Sequence, residues 1–145
     1  MPRVLLAIAV AAGALIATSA GAVRAQGLLI VANPSVNVTT PLSISQIAAI
    51  YLLRLTTWPD GSPIVPVNRE AGSEVRSEFA AEVLRQDAAS LATYWNEMHF
   101  QGKLPPLVQE SEQAMLAFIQ KVPGAVGYIR AATAPVGVKI LARVP

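Results

Sequence analysis

The sequence predicts an α/β layered domain with a small, partly parallel sheet flanked by about four helices. Short apolar runs alternate along the chain with segments whose apolar residues recur three and four positions apart. One run, Trp58 to Phe79, holds a turn, a strand, a polar loop and a helix start in succession, which is the repeating unit of such layers.

The chain begins with the order of features a secretory signal peptide needs. Arg3 is the positive start, Val4 to Ala17 is an almost unbroken apolar run, and small residues from Ser19 lead to Val23-Arg24-Ala25. Cleavage is expected after Ala25, with Ala20-Gly21-Ala22 as the second choice, so that 1–25 is the targeting segment and 26–145 the folded domain. The apolar run is short for a membrane span, which takes about 20 residues.

Leu28 to Ala32 reads as a strand buried on both faces, ended by Asn33-Pro34-Ser35. Asn37-Val38-Thr39 fits a glycosylation acceptor, which is read as chance. Ser43 and Gln46 then form a capping box, with Leu42 and Ile47 placed as its hydrophobic staple. Ile47, Ile50 and Tyr51 are the buried stripe of this helix, which dissolves over Leu53 to Thr57. Trp58-Pro59-Asp60-Gly61 is a turn, because Pro fixes one φ, Asp bonds its own backbone and Gly accepts a positive φ.

Ile64, Val65 and Val67 follow as a short strand, and Pro63 and Pro66 point to an edge or irregular one. A helix from Ser73 carries Val75, Phe79 and Val83 inward. Asp87 caps the next, whose Ala88, Leu91, Ala92, Trp95 and Met98 share a face, with Trp95 as a core anchor. After an irregular crossing through Pro105-Pro106, Leu107 and Val108 make a short strand. Ser111 starts a fourth helix with Met115, Phe118, Ile119 and Val122 at helical spacing, and Pro123-Gly124 stops it. Ala125 to Ile129 is a strand against which another backbone or a ligand is expected to pass closely at Gly127, and Val136 to Ala142 is the last strand.

Composition removes several classes of function. The chain has 11 Lys plus Arg against 9 Asp plus Glu, and removal of Arg3 and Arg24 with the signal leaves the two balanced. No basic run tracks a phosphate backbone, which argues against a nucleic-acid partner. Without cysteine there is neither a disulfide framework nor a thiolate nucleophile. His99 is the one histidine and reads as a helix-end residue, no serine sits in a nucleophile elbow, and no metal-ligand spacing occurs. The pairs Glu70/Glu74 and Glu78/Glu82 read as solvated helix faces rather than acid/base dyads. These absences argue against an enzyme, and no cofactor is implied.

The loop after the Ile64 to Val67 strand is where anion-seeking features converge. Arg69 offers a planar set of donors, Gly72 lets a ligand approach the backbone, and Ser73 caps a helix or donates a hydrogen bond. Ordinary capping by Ser73 explains the same residues without a ligand.

Leu42-Ser43, Ile50-Tyr51-Leu52, Trp58-Pro59-Asp60-Gly61, Ile64 to Arg69, Gly72-Ser73, Arg76, Phe79, Tyr94-Trp95 and Pro123-Gly124-Ala125-Val126-Gly127-Tyr128 occur in an order that resembles the phosphate-binding subfamily of periplasmic substrate-binding proteins. The resemblance implies a single lobe of the type 2 periplasmic-binding-protein fold, a periplasmic location after export, a small anion such as phosphate as ligand, and a membrane transporter or sensor as partner. It also implies that Arg69 supplies charge, Gly72 and Ser73 supply donors, and Ser43 with Thr40 supply a second helix-end set. Members with two lobes hold phosphate in the cleft between them, and this chain has the length of about one lobe. Where the family places Gly and Thr after its helix-start Ser, this sequence has Glu74 and Val75. A carboxylate at that place suits a helix dipole and repels a bound phosphate. An alternative use of the same fold is a secreted interaction module without a small ligand.

Overall fold

The computed structural model describes residues 27–145. The expected signal segment and its cleavage point lie outside the described residues. Ten elements follow in order, nine of them regular strands and α-helices: β1 Leu28–Ala32, α1 Ile44–Tyr51, β2 Val65–Arg69, α2 Glu74–Phe79, a π-helical segment Ala80–Leu84, α3 Ala88–Phe100, β3 Leu107–Gln109, α4 Glu112–Lys121, β4 Ala125–Arg130 and β5 Lys139–Val144. The strands form one mixed sheet in the order β3-β2-β4-β1-β5. β2 runs parallel to β3 and β4, and β1 runs antiparallel to β4 and β5. The domain is the α/β lobe that the sequence predicts, with a mixed sheet and four α-helices.

β1 sits inside the sheet, and its run of apolar residues reflects that both faces are covered. Leu28, Ile30 and Ala32 join the cluster under α1 and α2, while Leu29 and Val31 join the one under α4. Each of the Leu, Ile and Val side chains contributes about 1.5–3 kcal/mol when fully buried. The four α-helices begin where the sequence places caps: Ser43, Ser73, Asp87 and Ser111 each accept a hydrogen bond from a backbone N–H three residues on. The Ser43–Gln46 capping box is complete. Leu53, at φ 56°, takes the left-handed conformation just past α1 and ends it. In the Trp58 turn, the Gly61 N–H donates to the Trp58 carbonyl at 2.9 Å and the Asp60 carboxylate accepts from the Ser62 N–H.

Five expectations need correction. β2 is irregular but not an edge strand, since β3 lies on one side and β4 on the other. It changes partner along its length: Val65 and Pro66 align with β4, and Val67 to Arg69 align with β3. Successive residues of a strand turn their N–H groups to opposite sides, so the missing N–H of Pro66 falls on the side where β3 has not yet begun.

The helix from Ser73 is not uniform. After Phe79 it widens into the π-helical turn and closes at Arg85, whose φ of 53° is left-handed. Val75, Phe79 and Val83 are nonetheless all buried. An α-helix drifts about 40° over four residues, and the wider turn carries Val83 back onto the same face.

Trp95 is half-buried rather than a core anchor, and α3 buries Met98 alone. The Tyr94 hydroxyl ties the helix to the Leu52 carbonyl, and Ala88, Leu91, Ala92 and Trp95 of its predicted stripe line a cavity instead of the core. The last strand is Lys139–Val144 rather than Val136 to Ala142, because Gly137 turns with φ 71° and leaves Val136 exposed. At Gly127 the close neighbours are side chains of α4, not a backbone or a ligand: an added Cβ would lie 2.5 Å from Ile119 Cδ1 and 2.8 Å from Met115 Sδ.

Candidate functional site

β2 and β4 part beyond their first two paired residues, and two tyrosines occupy the opening. Tyr51, at the end of α1, donates its hydroxyl to the Val67 carbonyl at 2.9 Å, with the Val126 carbonyl at 3.3 Å. The Tyr128 hydroxyl accepts the Arg69 N–H at 3.2 Å and donates to Asn68 Oδ1. Between them the Phe79 ring stacks on Tyr128 at 4.0 Å and packs against Tyr51 at 4.6 Å. Burial raises the pKa of both phenols, that of Tyr51 well above its usual value and that of Tyr128 to about 12. Both hydroxyls therefore remain protonated and able to bridge the strands.

Arg69 ends β2 at this opening. Its guanidinium is held by Glu70 in a two-point pair, Nε to Oε2 at 2.9 Å and Nη2 to Oε1 at 3.0 Å, and only 11% of its side chain is exposed. The hydrogen bonds from Arg69 keep the Glu70 carboxyl below the usual range. Arg76, one turn into α2, donates Nη1 to the Arg69 carbonyl at 2.8 Å and so fixes the strand end to the helix. Ser73 is buried, its N–H donating to the Glu70 carbonyl and its Oγ accepting from the Arg76 N–H. Gly72 is exposed, and a Cβ added there would meet open space, so the position does not require glycine for room.

The residues expected to act together are therefore partly separated. Arg69, Gly72 and Ser73 share one loop. Ser43 and Thr40 are exposed at the start of α1, where Leu42 N–H donates to Leu141 of β5. β5 lies three strand spacings from β2, roughly 14 Å. The Ser43 Oγ is engaged with the Gln46 N–H and the Ser45 hydroxyl.

Arg130 was not singled out by sequence reasoning. It ends β4 as Arg69 ends β2, and it meets Glu78 at 3.1 Å and Glu74 at 3.6 Å. Its own N–H donates to Glu112 at the start of α4. The signal was present as an apolar strand run closing on arginine twice, in Val65-Pro66-Val67-Asn68-Arg69 and again in Val126-Gly127-Tyr128-Ile129-Arg130. The ends of β2 and β4 and the first turn of α2 thus bring together three arginines, Arg69, Arg130 and Arg76, interleaved with Glu70, Glu74 and Glu78.

Among the described residues no cluster of side chains has a metal-binding arrangement. Nor is any described helix long and apolar enough to cross a membrane. Two cavities flank the domain. One, of about 520 Å³, lies between Leu42, Gln46 and Ile50 and the Trp58 turn. The other, of about 460 Å³, separates the π-helical segment from α3.

No curated protein matches the chain. Among solved structures, it is similar to an ABC-type phosphate transport receptor from Vibrio cholerae, with 25% identity over 80% of this chain and 45% of that one, at a TM-score of 0.63. A protein of Clostridium perfringens described as a phosphate ABC transporter substrate-binding protein, solved with bound phosphate, matches 80% of this chain and 44% of its own at 23% identity and a TM-score of 0.64. PstS from Borrelia burgdorferi shares the fold at 17% identity, with 81% of this chain, 47% of that one and a TM-score of 0.63. The chain thus spans less than half the length of the solved proteins it matches. Residues 20–140 match the family described as a PBP superfamily domain, and the chain belongs to that family.

Proposed function

We propose that this protein is an exported binding protein that takes up a small oxyanion, phosphate by default, through Arg69, and presents it to a membrane transporter or sensor. The observation that supports this reading best is the Arg69–Glu70 pair. A guanidinium at a parallel strand end, nearly buried and fixed by its neighbours, already holds an oxyanion in two-point geometry. That is the recognition a phosphate needs, and an arginine supplies it through its planar set of donors. Family membership and the phosphate proteins of similar fold support a binding role rather than catalysis. The anion would displace the Glu70 carboxylate and keep the Arg69 contact. Ser73 would hold the loop that carries Arg69, and Gly72 would leave the approach open. Ser43 and Thr40, toward the β5 edge of the sheet, would contribute to a ligand only from a second surface.

The same pair supports a second reading. Glu70 occupies the guanidinium, and Glu74 and Glu78 occupy Arg130. A lobe whose two strand-end arginines are already paired with its own carboxylates would serve as a secreted interaction module without a small ligand.

Isothermal titration of the purified protein with phosphate at low salt separates the two. Saturable binding near micromolar, about −8 kcal/mol, that is competed by sulfate and lost in Arg69→Ala supports the first reading. Absence of heat and of any thermal shift at millimolar phosphate, in both the native protein and Glu70→Gln, sinks it and leaves the second.

A further inference from the structure

We propose that the cavity between the π-helical segment and α3 is a second binding site, which takes a small apolar-bodied carboxylic acid with its carboxylate at the Asn68 and Arg76 end. The site does not depend on the Arg69 reading. Its volume of about 460 Å³ is in the range of small-molecule sites.

The walls explain the apolar body. On one side stand Ala80, Ala81 and Leu84, on the other Leu91 and Ala92, so the two helical elements face each other with mostly small side chains and leave a slot. The wall on the first side is the π-helical turn, a feature that recurs at functional sites and here widens the helix beside the slot. The Phe79 and Tyr51 rings line its floor and Trp95 lines it from α3, so a ring or a short alkyl chain would find aromatic surfaces.

The polar groups explain the carboxylate. Asn68 uses its side-chain oxygen on the Arg69 N–H and the Tyr128 hydroxyl, which leaves the amide donors of Nδ2 without a protein acceptor among the described residues. Arg76 commits Nη1 to the Arg69 carbonyl and has no other side-chain hydrogen bond among the described residues. The Trp95 indole N–H has no acceptor there either, whereas that of Trp58 is bonded to the Gly124 carbonyl at 3.0 Å. Asn68, Arg76 and Trp95 all line the cavity, and none of their free donors is sealed from solvent, so a ligand entering the slot can meet them. Three donor groups without protein acceptors, one of them cationic, match an anionic acceptor group better than a neutral or cationic one. Asp87 at the other end is turned to its own helix and accepts from the Ser90 N–H at 2.8 Å. Its charge orients a monoacid with the carboxylate away from it and disfavours a ligand charged at both ends.

The test uses naphthalene-2-carboxylate and decanoate as probes and the indole N–H resonances of the uniformly nitrogen-15-labelled protein as the readout. Either probe should shift the Trp95 indole resonance saturably in the sub-millimolar range and leave that of Trp58 in place. Ala92→Leu, which fills the slot from an exposed helix position, should abolish the shift at unchanged thermal midpoint. Arg76→Gln should weaken it by about tenfold, the expectation for losing one charge-assisted hydrogen bond. The neutral probes 2-naphthol and decanol should bind at least tenfold more weakly than the acids. A Trp95 resonance that stays in place at 5-fold excess over about a millimolar probe, or equal binding to Ala92→Leu, overturns the proposal. Loss of phosphate binding in Arg69→Ala with the Trp95 response intact would show that the two sites stand or fall separately.

Discussion

The Arg69 guanidinium and the Glu70 carboxylate, neighbours in sequence, close on each other through two hydrogen bonds of 2.9 and 3.0 Å at the end of β2. The pair leaves the strand end electrically neutral and gives the arginine a fixed orientation. An incoming anion must replace a carboxylate that is already tethered beside it.

Glu70→Gln should therefore strengthen phosphate binding. The amide removes the negative charge while keeping the side-chain shape, so Arg69 is presented without a competing anion. Affinity is expected to rise by about tenfold or more, on the scale of one charge-assisted hydrogen bond. Titration calorimetry of the variant against the native protein checks it, and unchanged or weaker binding would show that Glu70 does not compete with the ligand.

Acid should loosen the fold through a small set of carboxylates. The pKa of Glu70 is lowered chiefly by its bond from Arg69, that of Asp60 by the Ser62 hydroxyl, and that of Asp87 by the Ser90 N–H. A group whose folded pKa is depressed adds stability that is fully present above its unfolded value and is lost as pH falls through the folded one. The unfolded values are 3.8 for aspartate and 4.5 for glutamate, so the thermal midpoint should hold down to about pH 5 and fall below it. Glu70→Gln should flatten the upper part of that fall in a melting series from pH 7 to pH 3.

At the alkaline end the sign reverses. Tyr51 and Tyr128 have raised folded pKa values, so their contribution is complete below the ordinary phenol value of 10.0 and is lost as pH rises through the folded values, which for Tyr128 is about 12. Ionisation followed at 295 nm should show neither phenol titrating near pH 10, and their ionisation should coincide with loss of the far-ultraviolet helix signal. Tyr51→Phe should cost about 1–3 kcal/mol in urea denaturation, because the Val67 carbonyl loses its partner inside the core. A Tyr51→Phe protein as stable as the native one would mean that water reaches the gap between β2 and β4.

The helix starts were legible because a cap is a local device: Ser43, Ser73, Asp87 and Ser111 bond to groups three residues away, and that spacing is visible in a string of letters. Arg69 and Ser73 were legible as neighbours for the same reason. The placement of Tyr51 and Tyr128 in the strand gap was not, since it depends on where β2 leaves β4, a relation between residues about 60 positions apart. Trp95 misled because its helical stripe is real while the surface it faces is a cavity, and periodicity reports only that a face is apolar. The separation of Ser43 from Arg69 followed from the strand order, to which neither local sequence contributes.

Two glycines that bracket the start of β4 should respond very differently to alanine. Gly124 has φ 77°, and an added Cβ would run into the Pro63 carbonyl oxygen, a backbone atom with little freedom to move. Its carbonyl also accepts both the Trp58 indole and the Val65 N–H, so a shift there would disturb the entry to β2. Gly127 lacks a positive φ, and its obstacles are the ends of Ile119 and Met115, which can swing aside. Gly124→Ala is expected to cost about 3 kcal/mol or more from combined left-handed strain and overpacking, against about 1–3 kcal/mol for Gly127→Ala. Ile119→Val, which removes the methyl nearest the new Cβ, should recover part of the Gly127→Ala loss and none of the Gly124→Ala loss. Urea midpoints of the two single and two double variants measure this, and a Gly127→Ala protein less stable than Gly124→Ala would overturn the distinction between backbone and side-chain obstruction.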